Sequence, residues 1–371
     1  MENHCHTIII GGGIGGSAAA LRAAQNGMSA FWFTGSKHTR KRSRSQWVMN
    51  LDNMVGFHED VIKNQVLKTL KKGKEESAAD LISQTHYHIN NRLIIQNTID
   101  RISEYYPNIT IIHEEVLSLK KIERKFEIES ENSNISAESI ILATGVMDKQ
   151  PVFTKLNKKG MKETSPKWIY PFANREHVLY CIRCEGHLTK DHHIAIIGYD
   201  NTCAEISMMI HERYGNDVTI LTNGVETEIS DERFKLLKHY GIRINNKKII
   251  DTVSDGVREL KGFELDDNTI VHVRFALVSL GLHRVYNDIA IMAGAELLDD
   301  DQPQHKKHIR VSNKGETTVK NLFVVGDAAN RVDEPIMKQV YTAQEYAVRA
   351  VDTIDSRRRK KSRLEILNNT N

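Results

Sequence analysis

Seven residues near the middle of the chain, Cys181-Ile182-Arg183-Cys184-Glu185-Gly186-His187, hold the side chains that two-electron chemistry needs. Two cysteines three positions apart can close a small disulfide and reopen it as two thiols, which stores an electron pair at one point. Cys181, Cys184 and His187 are also spaced closely enough to be three zinc ligands. A fourth would have to come from Cys5, Cys203 or a scattered histidine, and no second pair has ligand spacing. Two inert thiols are the remaining reading. The stretch downstream of the pair favours redox chemistry: an apolar run, Ile194 to Ile197, enters a glycine turn at Gly198, the start of a βαβ unit.

The elements that would position this chemistry begin at the N-terminus. Thr7-Ile8-Ile9-Ile10 reads as a buried parallel strand, and Gly11-Gly12-Gly13-Ile14-Gly15-Gly16 comes directly after it. Gly11, Gly13 and Gly16 have the G-x-G-x-x-G spacing, and an alanine-rich helix over Ser17–Ala24 completes strand, turn and helix. In that context the first glycine makes the turn, the second admits a pyrophosphate, and the third lets the helix lie close on the sheet. The second strand, Ser29 to Phe33, ends in Thr34-Gly35-Ser36 with no acid to take a ribose hydroxyl, so a hydroxyl or backbone group must do so.

Helical composition runs from His58 to about Tyr106, followed by short strands to Leu142 and the turn Ala143-Thr144-Gly145. A second βαβ unit spans Ile194–Ile197, the turn Gly198 to Cys203, a helix over Ala204–His211 and a strand over Val218–Leu221. Near the end, a strand over Asn321–Val325 closes on Gly326-Asp327, and a long helix covers Gln339–Thr353. The expected organisation is α/β, with two Rossmann-like nucleotide-binding domains, the second inserted into the first. The boundaries are 1–150 and 283–355 for the outer domain, 151–282 for the inserted one, and 356–371 for a basic, polar tail read as a solvated helix end.

Composition sets the broad class. At 371 residues, 40% hydrophobic and 27% charged, the chain can bury a large core. A net charge of +3 is too small to argue for nucleic acid, and no apolar run reaches the length of a membrane span. With four cysteines there is no disulfide framework, and a soluble, cytoplasmic protein is expected.

Six motifs occur in register: Gly11 to Gly16, Asp52-Asn53-x-x-Gly56, Ala143-Thr144-Gly145, Cys181-x-x-Cys184-Glu185-Gly186, Gly326-Asp327 and Lys338-Gln339-Val340-x-Thr342-Ala343. Together they resemble the low-molecular-weight thioredoxin reductases and their relatives, from Thr7 to about Asp352. The resemblance implies a homodimeric FAD enzyme. Gly11, Gly13 and Gly16 would hold the pyrophosphate, Thr34 and Gly35 would lie near the adenosine ribose, and Asn53 would face the isoalloxazine. Thr144 and Gly145 would flank the nucleotide, with Gly326 and Asp327 at the ribityl chain. Gln339 and Val340 would open a helix whose positive end meets the flavin. Lys338 would either add its charge there or serve as a solvated cap. Cys184 would meet the flavin, Cys181 would exchange with the substrate disulfide, and Glu185 would protonate the leaving thiolate. His187 adds a titratable group or is a polar turn residue.

One departure stands out. The inserted domain should bind NADPH, yet Asp200 occupies the glycine position at the pyrophosphate, and Cys203 the last position of the motif. After Leu221 the family's H-R-R-x-x-x-R cluster is replaced by Thr222-Asn223-Gly224-Val225-Glu226. NADPH is therefore doubtful, as in the gliotoxin-type dithiol oxidases that use dioxygen and in the ferredoxin-dependent relatives. The expected activity is FAD-dependent dithiol–disulfide exchange with a thioredoxin-like protein or a small dithiol. A dithiol oxidase, an NADPH enzyme with a modified motif and a non-catalytic redox-sensing flavoprotein are the alternatives.

Overall fold

The computed structural model describes residues 4–39, 44–46, 48, 51, 53–56, 91–156, 159–173, 175–254, 259–298 and 301–369. Most of the expected helical stretch from His58, and Asp52 of the second motif, lie outside them. The chain divides into two compact units, one of residues 1–46, 91–147 and 282–371, the other of 47–90 and 148–281.

The first unit is built on β1 (His4–Ile10), α1 (Ile14–Gln25), β2 (Ala30–Phe33), α2 (Asn91–Tyr105), β3 (Ile109–Ile112), β4 (Val116–Ile122), β5 (Lys125–Ser130) and β6 (Asn134–Leu142). Strands β3, β2, β1 and β6 are neighbours in that order, all parallel. Being covered on both faces, β2 and the Ile8–Ile10 end of β1 are apolar without alternation: Ile8, Ile9 and Trp32 are fully buried. Lys125–Ser130 alternates instead, with Phe126 and Ile128 inside, and joins β6 antiparallel.

In the second unit, β7 (Val178–Leu179) leads into the one-turn helix α3 (Ile182–Glu185). Then come β8 (Ile194–Ile197), α4 (Asn201–Tyr214), β9 (Val218–Leu221), α5 (Asp231–His239) and β10 (Arg243–Asn245). Three antiparallel strands, β11 (Ile249–Ser254), β12 (Leu260–Leu265) and β13 (Ile270–His272), precede β14 (Phe275–Val278). The main sheet is parallel in the order β7, β14, β8, β9, β10. In both units a glycine turn leaves the carboxyl end of a strand whose two neighbours lie on opposite sides, the crevice where open α/β sheets bind ligands.

Back in the first unit, β15 (Leu322–Val324) adds parallel to the end of β6, and α6 (Val340–Asn369) packs on α1. Its inward face is Ala343, Tyr346, Ala347, Ala350, Val351 and Ile354, a helical spacing of three and four. Arg22 grips Asp352 through Nε and Nη2 at 2.7 and 2.9 Å. The helix does not stop near Thr353: the run expected as a tail is helical to Asn369. It is solvated past Asp355, and Arg357 and Lys361 pair with Glu316 and Glu138. Among the described residues no helix is long and apolar enough to cross a membrane.

Candidate redox pair and nucleotide cradle

In the second unit Cys181 and Cys184 are joined by a disulfide, with Cα atoms 5.3 Å apart. Local structure accounts for the closure. Cys181 has extended backbone and caps α3, its Sγ accepting the N–H of Cys184 at 3.2 Å, so one turn of helix brings the second sulfur round to the first. Cys184 is 6% exposed, and Cys181 is half-buried and the more accessible. Asn53 Nδ2 lies 4.0 Å from Cys184 Sγ.

Glu185, 4% exposed, turns back on the segment: Oε2 accepts the N–H groups of Tyr180 and Cys181 at 3.2 and 3.3 Å. The cysteine at the cap thus accepts the N–H of Cys184, and the acid four residues on accepts the cysteine's own N–H, a variant of the capping box. Tyr180 itself is buried and donates its hydroxyl to Gln150 Oε1 at 2.6 Å. Burial, with Asp148 next, pushes its phenol far above the ordinary range. His187 is exposed on the following turn.

Downstream, the glycine turn after β8 retains its first glycine for a packing reason, since a Cβ on Gly198 would lie 2.6 Å from the Ser279 carbonyl oxygen and 2.9 Å from Cys203 Sγ. Asp200 caps α4, Oδ1 accepting the N–H of Cys203 at 2.9 Å. A carboxylate of the chain therefore takes the helix end that could otherwise face a phosphate, and its charge opposes a second anion. Two residues past β9, Asn223 Oδ1 accepts the N–H of Ile249. The backbone of Glu228 pairs with this turn, its N–H donating to the Tyr199 carbonyl at 2.7 Å. Burial, and then Asp200, raises the Cys203 thiol to about 12, which makes it a small buried side chain rather than a reactive one.

The first unit carries the other glycine turn intact. Gly11 has φ +132°, and a Cβ there would overlap the Ala143 carbonyl. One on Gly16 would overlap the Gly11 carbonyl, which Trp32 Nε1 also binds at 2.9 Å. At Gly13 a Cβ would meet nothing within 4 Å. Gly13 is the N-cap of α1 and no side chain caps that helix. Two glycines are thus consumed by the fold, and the middle one stands at an open face beside backbone donors, a cradle that suits an anionic diphosphate.

The other expected positions vary. Thr34 is buried, and its hydroxyl sits 2.7 Å from His113 Nδ1, leaving Gly35, at φ +85°, as the group free of a side chain at this strand end. Thr144 Oγ1 donates to the Tyr286 carbonyl at 2.6 Å, and the Gly145 carbonyl accepts the Tyr286 N–H, so both hold the returning chain. Asp327, just after Gly326, pairs through Oδ2 with Arg44 Nη1 at 2.9 Å. Lys338 Nζ donates to the Ala329 carbonyl. Gln339 is buried, donates to the Lys338 carbonyl at 2.8 Å, and leads into Val340, the first residue of α6. Arg44, His113 and Trp32 escape sequence reading, because each matters through a partner at least twenty residues away.

Residues 5–347 match the family model described as pyridine nucleotide-disulphide oxidoreductase. Thioredoxin reductase of Buchnera aphidicola is 21% identical over 342 residues, 89% of this chain and 90% of its own. Thioredoxin reductase of Treponema pallidum is 22% identical over 347 residues, 92% and 94% of the two chains. The crystal structure of thioredoxin reductase from Streptococcus pyogenes shares the fold with a TM-score of 0.71, at 13% identity over 95% of this chain and 98% of that one.

Proposed function

The chain belongs to the pyridine nucleotide-disulphide oxidoreductase family and is an oxidoreductase of the thioredoxin reductase-like kind; on that premise we propose that it exchanges electrons between bound FAD and a substrate dithiol or disulfide through Cys181 and Cys184. The observation that carries the reading is the closed cystine at the cap of α3, one sulfur accessible and the other buried. The partner is a thioredoxin-like protein or a small dithiol, and the working form is a homodimer.

In the oxidising direction a substrate thiolate attacks Cys181 Sγ, the more accessible sulfur. A substrate–Cys181 disulfide forms and Cys184 leaves as a thiolate. The second substrate thiolate attacks the substrate sulfur of that bond and releases Cys181. The substrate departs as a disulfide, two electrons poorer, and the pair is left as a dithiol. FAD, when bound, supplies the two-electron partner that clears or refills the pair. Gly11, Gly13 and Gly16 would hold its diphosphate, Gly35 its ribose, and Gly326 with Asp327 its ribityl hydroxyls. Glu185 keeps the Cys181 backbone in place while the sulfur changes partners.

The test is spectroscopic. Purified Cys181→Ser should hold Cys184 as a thiolate beside oxidised flavin and show long-wavelength charge-transfer absorbance that Cys184→Ser lacks. A protein that stays colourless and refuses FAD on reconstitution sinks the reading.

A second reading concerns the other end of the electron path, and Asp200 favours it. With its carboxylate bonded at the start of α4, the second unit is poorly suited to NADPH, so dioxygen or a protein acceptor or donor takes that part. Anaerobic addition of NADPH should leave the flavin oxidised over a turnover time, and a small dithiol should drive oxygen uptake. Rapid bleaching by NADPH overturns this second reading alone.

A further inference from the structure

We propose that Arg44 is a cofactor-positioning residue that acts through Asp327, an inference that rests on the FAD reading of the first unit. Asp327 lies on the single turn Gly326–Ala328 that follows β15. That turn abuts two helix starts. A Cβ on Gly15, in the first turn of α1, would lie 3.3 Å from Val325 Cγ2 and 3.8 Å from the Gly326 nitrogen. One on Gly326 would lie 3.8 Å from Ala343 Cβ, in the first turn of α6.

Helix N-termini carry partial positive charge, so a carboxylate is at home between them and a guanidinium is not. Arg44 is nevertheless there, 283 residues away in sequence, with its side chain 23% exposed and that of Asp327 22% exposed. Lys338, bound to the Ala329 carbonyl two residues past Asp327, adds another cation.

Arg44 takes only Oδ2 of Asp327, so Oδ1 keeps its lone pairs for a ligand hydroxyl. The ion pair fixes the plane of the carboxylate before the ligand arrives, and this preorganisation lowers the cost of binding. Arg44 thereby joins the first segment of the unit to the last at the point where the polyol of a dinucleotide would be received.

FAD titration of the apoprotein, followed by flavin fluorescence, tests this with Arg44→Gln, Asp327→Asn and the double variant. Loss of one charge-assisted contact should weaken binding about tenfold or more in each single variant. The double variant should be no weaker than the weaker single one, because the two residues act as one unit. Circular dichroism and the thermal midpoint report whether each apoprotein is folded, and Arg44→Lys, which keeps the charge without the planar fork, should bind with intermediate affinity. Wild-type affinity in a folded Arg44→Gln or Arg44→Lys protein, or additive losses in the double variant, overturns the inference and leaves the FAD reading standing. Failure of the wild-type protein to take FAD overturns that reading itself.

Discussion

Glu185 accepts the backbone N–H of Cys181 at 3.3 Å, while Cys181 Sγ accepts the N–H of Cys184 at 3.2 Å. The acid beside the disulfide is thus an acceptor that braces the outer cysteine. Glu185→Gln keeps an acceptor oxygen and should preserve thiol–disulfide exchange and its pH profile. Glu185→Ala removes the brace and should cost about 1 kcal/mol of stability, the usual cost of a lost helix cap. A Glu185→Gln protein that is folded yet loses one limb of the pH–rate profile would show proton donation instead.

Thiol counting separates the four cysteines. Cys5 and Cys203 are buried, and burial raises both thiols to about 12. The native oxidised protein should therefore show no thiol reactive toward a chromogenic disulfide reagent near pH 8. Mild reduction should expose two, and reduction in denaturant all four. A reactive thiol in the oxidised native form would contradict the closed Cys181–Cys184 bond.

The glycines of the first turn should separate folding from binding. Gly16→Ala drives a methyl into the Gly11 carbonyl and should destabilise the protein by about 1–3 kcal/mol, the range for overpacked sites. Gly13→Ala meets no protein atom and should move the thermal midpoint little while weakening FAD binding. Equal FAD affinity in Gly13→Ala and wild type would remove the diphosphate from this cradle.

Stability should fall as pH drops through the histidine range. Burial lowers the pKa of His177, which stacks on Phe275, and of His193, which meets Thr219 Oγ1 at 2.9 Å, below the ordinary 6.5. In this window the unfolded chain binds protons that the folded one refuses, so unfolding becomes easier below about pH 6.5, and the loss is complete once pH passes the folded values. Denaturant midpoints measured from pH 7.5 to 5 should decline, and His177→Gln should flatten the slope. An unchanged slope in that variant would assign the effect elsewhere.

Much of the frame was legible in the chain because local rules govern it. Ile194–Ile197 and Val218–Leu221 are continuous apolar runs bounded by turn residues, and both are strands with those limits. Helix ends were harder: α1 begins at Ile14 inside the glycines, and α6 runs well past Thr353, because exposed Arg and Lys are good helix formers that give no burial signal.

The site divides in the same way. Its residue types and spacings, Cys181 with Cys184 and the glycines at 11, 13 and 16, are properties of short segments and were determined by sequence alone. Partners across long separations were decided only by the tertiary structure: Arg44 on Asp327, His113 on Thr34, Trp32 on the Gly11 carbonyl. So was the use of Asp200 as a cap and of Glu185 as a brace. The physical reason is that a side chain's reach and a backbone turn are set within a few residues, whereas which donor meets which acceptor depends on how strands and helices from distant parts of the chain come to lie together.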